Sequence, residues 1–414
     1  LLTATAPEGK WEMRKMEGFY YDAGLLFDGE DTYIAHGIDN ISVTQLDADF
    51  KAVRTEQVIT VGNGCEGSHF YHIGDYYYIY ATYGGTEGSQ TIFRATSPFG
   101  PYEEHEGRVF EKQHIHQGGL VQTQTGEWWT ILFKDAGTVG RIPYLEPVEW
   151  VDGWPVIGNA GIDVSQRGKD YRKPDVGQAY PRTYLPTNDT FTDPSLGLQW
   201  QWNANPDSDW AQFGTDESGN VSDDGSYIKL NAVGRASNRP IGDYRNLLLQ
   251  KWPASEFSCI TKMNISGMAD GDNAGFIHMG MDYLAADVTV KGGKMEVYAV
   301  KGVQQFDCDQ AYTKETKELL ASYDNLKEVY FRYTVKKTGT KDYVEGGLPV
   351  KEAPVETVTI EISTDGKEYT NPVSVIAKAG RWVGVKSGVY VSHDNSANSA
   401  NKGFVTVDYV RYSR

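Results

Sequence analysis

Between Val61 and Gly85 the chain reads VGNGCEGSHFYHIGDYYYIYATYGG, with two apolar and aromatic runs, Ser68–Ile73 and Tyr76–Tyr83, on either side of Gly74-Asp75. Runs of Tyr, Phe and Ile broken by a Gly-Asp dipeptide predict a β-hairpin. The arrangement recurs along the first part of the chain. Asp28–Tyr33 (DGEDTY), Gly74–Tyr77 (GDYY) and Thr125–Trp129 (TGEWW) each end a tight turn in aromatics. Tyr77 follows Tyr33 by 44 residues and Trp129 follows Tyr77 by 52. Two nonapeptides repeat at twice that interval: Ala4–Glu12 is ATAPEGKWE and Ala95–Glu103, 91 residues on, is ATSPFGPYE. A unit of about 40–50 residues holding several short strands is the pattern of a β-propeller blade.

On this reading Leu1–Trp11 is the closing strand of one blade. Further blades run from Phe19 to about Thr60, from Gly62 to about Val109 and from Ile115 to about Ile157. A propeller closes with about four blades or more. Three nearly whole blades and the tail of a fourth predict a chain that begins inside its own first domain. The competing reading makes the opening strand part of an open sheet. Gly158–Pro186 is polar and contains Pro and Gly, and serves as closure or linker. From Asp189 a second pattern of short strands and turns sets in, among them Tyr227–Ala232, Phe276–Met281, Glu296–Val300, Val329–Val335, Val358–Ser363, Val383–Val391 and Phe404–Tyr412. Alternation with even turn spacing predicts a two-sheet β-sandwich. Lys314–Ser322 reads as a short helix and Asp394–Lys402 as a polar loop. The expected domains are 1–184 and 187–414.

Composition agrees with an all-β protein. Tyr, Trp and Gly are abundant, and hydrophobic residues make up 40% of 414, enough for a sizeable core. A formal charge of −17 argues against a nucleic-acid or anionic-membrane partner and suits a neutral ligand. No apolar run approaches the roughly 20 residues of a membrane-spanning helix. The chain opens LLTATAPEGKW, without an initiating Met or a signal-like region, so processing or truncation is expected. Cys65, Cys259 and Cys308 lack metal-ligand spacing. A Cys259–Cys308 disulfide is compatible with the count, and Cys65 reads as a small buried hydrophobe.

The candidate chemistry centres on Glu66. It lies in a Gly-rich turn before a hairpin strand, where Tyr, Phe and His can wall a carboxyl and raise its pKa, as a proton donor requires. Its alternative is a solvated turn residue. Asp22 lies 44 residues earlier, about one blade away, so both carboxylates can face the axis of one domain.

Four segments carry a resemblance in the first half. Tyr20–Gly37 (YYDAGLLFDGEDTYIAHG), Cys65–Thr86 (CEGSHFYHIGDYYYIYATYGGT), His116–Asp135 (HQGGLVQTQTGEWWTILFKD) and Gly140–Gly158 (GRIPYLEPVEWVDGWPVIG) together resemble glycoside hydrolase family 43. That family consists of five-bladed propellers with β-xylosidase, α-L-arabinofuranosidase and related activities. Asp189–Pro206 (DTFTDPSLGLQWQWNANP), Gly267–Phe276 (GMADGDNAGF) and Gly380–Val391 (GRWVGVKSGVYV) resemble the concanavalin-like, jelly-roll sandwich that follows the propeller in many members.

The resemblance implies a propeller whose first blade and most of the second are missing, followed by a β-sandwich. It implies Glu66 as general acid, Asp22 as the carboxylate that tunes it, His116 facing the central channel, and Arg141 on substrate hydroxyls. The family's base, an Asp near the start of the first blade, has no counterpart here, so the isolated chain is expected to hydrolyse little. Ala23 and Ser68 stand where the family commonly has Pro. No cofactor is required for the chemistry; the family often holds a calcium or other ion in the channel near His116. Tyr20, Tyr21, Tyr83 and Trp154 are candidate sugar-stacking faces, with packing as the alternative for each. Trp200, Trp202 and Trp210 read as core, and Asp193 and Asp408 as candidate partners of a structural calcium.

The leading reading is an inverting pentosidase acting on xylose- or arabinose-containing polysaccharide fragments, in a secreted or periplasmic setting. A non-catalytic carbohydrate-binding protein using the sandwich, and a purely architectural sandwich, are the competing readings.

Overall fold

The computed structural model describes residues 1–7, 9–84, 88–107, 109, 115–158, 172–215, 225–303, 314–345, 348–380, 383–397 and 400–413. Its contacts divide the chain into two all-β units. The first holds Leu1–Asp135, Ile142–Tyr180 and Tyr343–Val350; the second holds Ala136–Arg141, Pro181–Asp342 and Lys351–Arg414.

The first unit opens with a two-stranded ribbon, β1 (Leu2–Thr3) against β2 (Glu12–Met13). Three four-stranded antiparallel meanders follow. Their strands are β3 (Gly24–Asp28), β4 (Asp31–His36), β5 (Asn40–Leu46) and β6 (Ala52–Thr60); β7 (Cys65–Ile73), β8 (Tyr76–Tyr83), β9 (Ser89–Ala95) and β10 (Glu103–Glu104); and β11 (Ile115–Gln122), β12 (Trp128–Asp135), β13 (Arg141–Val151) and β14 (Trp154–Ile157). The hairpins expected from their turn residues are all present.

The repeated nonapeptide has a structural meaning. ATAPEGKWE joins β1 to β2, and ATSPFGPYE joins β9 to β10. In both, the Gly amide donates three residues back, Gly9 to Ala6 at 2.9 Å and Gly100 to Ser97 at 3.0 Å. In both, the aromatic reaches back to the Pro carbonyl, Trp11 Nε1 to Pro7 at 3.1 Å and Tyr102 Oη to Pro98 at 2.9 Å. The ribbon therefore matches the last two strands of a blade, one strand more than the closing strand expected from sequence.

Adjacent meanders bury aromatic and β-branched residues between them, Tyr33, Ile41, Phe70 and Ile79 in one layer and Tyr78, Tyr80, Leu120 and Leu132 in the next. Polar ties supplement this packing. Asp28 accepts from Tyr77 Oη at 2.6 Å and pairs with His72 Nδ1 at 2.8 Å. Arg94 lies 4.0 Å from the Trp154 ring centre and 4.7 Å from that of Tyr76, while donating to the Asp152 carbonyl at 2.7 Å. Trp154 is thus occupied by interblade packing. Tyr83, buried and bonded to Glu104 at 3.0 Å, is likewise committed.

The second unit is a sandwich of an eight-stranded and a seven-stranded sheet. Phe257–Asn264 alternates buried and half-buried positions, the period-2 signature of a strand on a core. Phe276 from one sheet and Phe331 and Tyr333 from the other meet in that core. Trp200 and Trp210 are buried and Trp202 packs edge-on against Trp210 at 5.4 Å, as expected of core residues.

Two expectations are corrected here. Lys314–Ser322 is no helix: Lys314–Tyr323 is the edge strand of the eight-stranded sheet, paired with Lys294–Val303. Its helix-favouring Lys, Glu, Leu and Ala yield to the ladder, and the charges suit an exposed edge. Cys259 is a buried free thiol whose pKa burial pushes up to about 12; Cys308 lies outside the described residues. Asp193 binds Ser195, and the buried Asp408 pairs with Lys262 Nζ at 2.8 Å. Among the described residues no group of three or more His, Cys, Asp or Glu could hold a metal ion.

Candidate active site

The first strand of each meander carries the same irregularity. On β7, Glu66 faces Thr82 and His69 faces Tyr80, so Gly67 and Ser68 together oppose one residue. On β11, His116 faces Phe133 and Gly119 faces Ile131, leaving Gln117 and Gly118. Ahead of β3, the Tyr21 carbonyl accepts the Gly37 amide at 2.9 Å and Gly24 faces Ala35, leaving Asp22 and Ala23. Each is a bulge of one extra residue, a device that re-aims side chains. The first bulge residue has positive φ in all three: 46° at Asp22, 68° at Gly67 and 39° at Gln117. For Gln117 that conformation costs of order 1–3 kcal/mol, strain that gathers at functional sites.

Register then sets the equivalences. Tyr21, Glu66 and His116 share one position of three successive blades, and Asp22, Gly67 and Gln117 share the next. Glu66 is therefore matched by Tyr21 and not by Asp22, which a 44-residue spacing alone does not reveal.

The bulges bring specific groups together. Tyr21 Oη donates to Glu66 Oε2 at 2.9 Å. That bond, then the Glu66 charge, burial and the Asp22 charge, hold the Tyr21 phenol above the ordinary tyrosine range. Gln117 Nε2 donates to Asp22 Oδ2 at 3.4 Å. Asp22, Ala23, Gly67, Ser68, His69, Gln117 and Phe133 line an open depression of about 410 Å³. Glu66 and Asp22 are both half-buried.

The surrounding backbone is closely fitted. A Cβ on Gly24 would stand 1.9 Å from the Ser68 carbonyl oxygen, and one on Gly67 would stand 3.0 Å from Gln117 Cγ. Gln90, wholly buried, accepts the Gly118 amide at 3.0 Å and donates to the Ala81 carbonyl at 2.7 Å, fixing the third bulge. Asp39 Oδ1 accepts the amides of Gly64 at 2.6 Å and Cys65 at 3.2 Å, which clamps the turn leading into Glu66. The buried Ser68 Oγ has no hydrogen-bond partner among the described residues.

Of the residues singled out from sequence, Glu66 and Asp22 stand on neighbouring bulges of one unit. His116 is on β11 at the Glu66-equivalent position, and its side chain lies outside the described residues. Arg141 opens β13, is half-buried and belongs to the second unit. Tyr20 packs edge-on against His36 at 4.9 Å. Sequence reasoning missed Asp39 and Gln117 and gave Tyr21 a different part. Aligning the blades at Gly24, His69 and Gly119 would have found Gln117, because it follows His116 as Gly67 follows Glu66.

Comparison with known proteins places these residues in context. The signature of "Glycosyl hydrolases family 43" matches residues 1–155, and that of "Beta xylosidase C-terminal Concanavalin A-like domain" matches 188–413. A beta-xylosidase of Formosa agariphila is 26% identical over 479 residues, covering 100% of this chain and 74% of its own length. A non-reducing end alpha-L-arabinofuranosidase of Bacteroides ovatus is 27% identical over 440 residues, covering 99% and 75%. A relative from Xylanibacter ruminicola is 31% identical over 291 residues, 64% of this chain and 51% of its own, so the chain spans about half of that relative. Among solved structures, a family 43 glycoside hydrolase engineered to display endo-xylanase and exo-arabinofuranosidase activity superposes with a TM-score of 0.74 at 24% identity, over 98% of this chain and 76% of that one. The last likeness shows the fold.

Proposed function

The chain belongs to glycoside hydrolase family 43, and from that premise we propose that it serves the inverting hydrolysis of xylose- or arabinose-containing polysaccharide fragments, with Glu66 as proton donor. The observation that carries this reading is the bulge on β7. It sets a half-buried carboxyl beside the depression, with a phenol on one oxygen and a second carboxylate, Asp22, on the neighbouring bulge. The beta-xylosidase and arabinofuranosidase relatives support the substrate class.

The step balances as follows. Glu66 passes its proton to the glycosidic oxygen, and the bond from that oxygen to the anomeric carbon breaks with its electron pair going to oxygen. A water attacks the anomeric carbon from the opposite face, and a base takes the water's proton. Acid and base stand about 6.5–9.5 Å apart in such enzymes. Asp22, by like charge, favours the protonated acid. The base is a carboxylate not among the residues assigned here. His116 and Arg141 remain substrate-contact residues of the proposal, and no cofactor takes part.

Two aryl glycosides, a β-D-xyloside and an α-L-arabinofuranoside, test it. The complete product of the gene should release nitrophenol from at least one, and proton NMR should find the first-formed sugar with its anomeric configuration inverted. Retention of configuration, or release from neither glycoside, contradicts the proposal.

A further inference from the structure

We propose that Tyr21 is a positioning residue for Glu66: its phenol, donating to Oε2, fixes the orientation of the carboxyl that delivers the proton. The inference rests on the reading of Glu66 as the acid and adds a residue to it.

A carboxyl group has two oxygens and rotates about its last bond. Unless something distinguishes them, the proton points toward the substrate only part of the time. Tyr21 Oη donates to Oε2 at 2.9 Å, and that bond holds the carboxyl against rotation about its last bond. The donor is itself held. The Tyr21 carbonyl accepts the Gly37 amide at 2.9 Å, and the register that places Glu66 on β7 places Tyr21 at the same point one blade earlier. Both side chains leave their strands just before the bulge, which is why they converge.

The bond also changes during the reaction. A phenol binds a carboxylate more strongly than a neutral carboxylic acid, by the general strength of charge-assisted hydrogen bonds. It therefore tightens as Glu66 gives up its proton and stabilises the later state more than the earlier, the condition for accelerating a step. At rest it favours the ionised acid, while Asp22 favours the protonated one. Among the described side chains, the titratable groups around Glu66 are Tyr21 and Asp22 from the first blade, Cys65 and His69 on its own strand, and Tyr83 on β8, whose hydroxyl is given to Glu104. Of these, Tyr21 has its hydroxyl on the Glu66 carboxylate.

The test is a carbon-13 NMR titration of the glutamate side-chain carboxyls in the 414-residue chain, with Glu66→Gln identifying the Glu66 signal. Tyr21→Phe should move the Glu66 midpoint up by about one pH unit, the shift expected for one lost charge-assisted hydrogen bond. Phe keeps the half-exposed ring, so folding is retained. In the complete gene product the same variant should lower kcat on xylobiose by on the order of tenfold, with KM unchanged and a smaller effect on a nitrophenyl glycoside, whose leaving group needs little protonation. An unmoved Glu66 midpoint overturns the inference. Undiminished hydrolysis by Glu66→Gln sinks the acid reading instead, whatever Tyr21→Phe does to the titration.

Discussion

Gly24 illustrates how much of the site rests on single backbone positions. Its φ is ordinary, so flexibility is not why glycine stands there. The place a Cβ would take is filled by the Ser68 carbonyl at 1.9 Å, backbone that no rotamer change can move. Gly24→Ala should push the first bulge off the second and lower stability by about 3 kcal/mol, at the upper end for overpacking. Urea unfolding measures it, and an unchanged midpoint would mean the two strands have slack. Glu66 stands out in the sequence as a carboxylate in a Gly-rich stretch ahead of two aromatic runs; the structure sets it on β7 itself, just before the bulge, and not in the turn expected. Asp39 was not legible: it acts through two amides 25 and 26 residues away, a contact no local pattern encodes.

At the scale of elements, the hairpins were legible because turn dipeptides and period-2 alternation are local signals. The bulges were not. One inserted residue per strand leaves alternation almost intact while shifting every equivalence by one, so Asp22 aligned with Glu66 by count and Tyr21 aligns with it by register. The strand Lys314–Tyr323 was misread for the opposite reason, since its local preference is helical and a neighbouring strand decides.

The two sheets of the sandwich are joined by a buried polar chain. Trp252 Nε1 donates to Tyr333 Oη at 2.7 Å, and Tyr333 Oη stands 2.9 Å from His278 Nδ1. Either tautomer of a neutral His278 satisfies that second bond. Burial pushes its pKa down to about 3. The sign follows: the unfolded chain, with an ordinary histidine near 6.5, binds the extra proton first. Stability from this group is full above about pH 6.5 and declines toward pH 3, by about 1.4 kcal/mol per unit where it acts alone. His278→Gln should flatten that part of the pH–stability curve of the second unit. An unchanged slope would show that His278 is not the group responsible.

At the scale of the whole molecule, repetition was the legible signal. The nonapeptide at Ala4 and Ala95 marks one turn used twice, with the same Gly and aromatic bonds. Together with the −17 charge it directs attention to a repeated β-scaffold acting on a neutral ligand. That Tyr21, and not Asp22, is the neighbour bonded to the Glu66 carboxyl emerges only when three repeats are laid in register. The central claim is that the proton comes from Glu66. The direct measurement compares the complete gene product with its Glu66→Gln variant on xylobiose and on a nitrophenyl glycoside of the preferred sugar. The account predicts a loss of roughly 10²–10⁴-fold in kcat on the disaccharide, the usual worth of a general acid, and a much smaller loss on the aryl substrate. Equal rates for parent and variant on the disaccharide would contradict it.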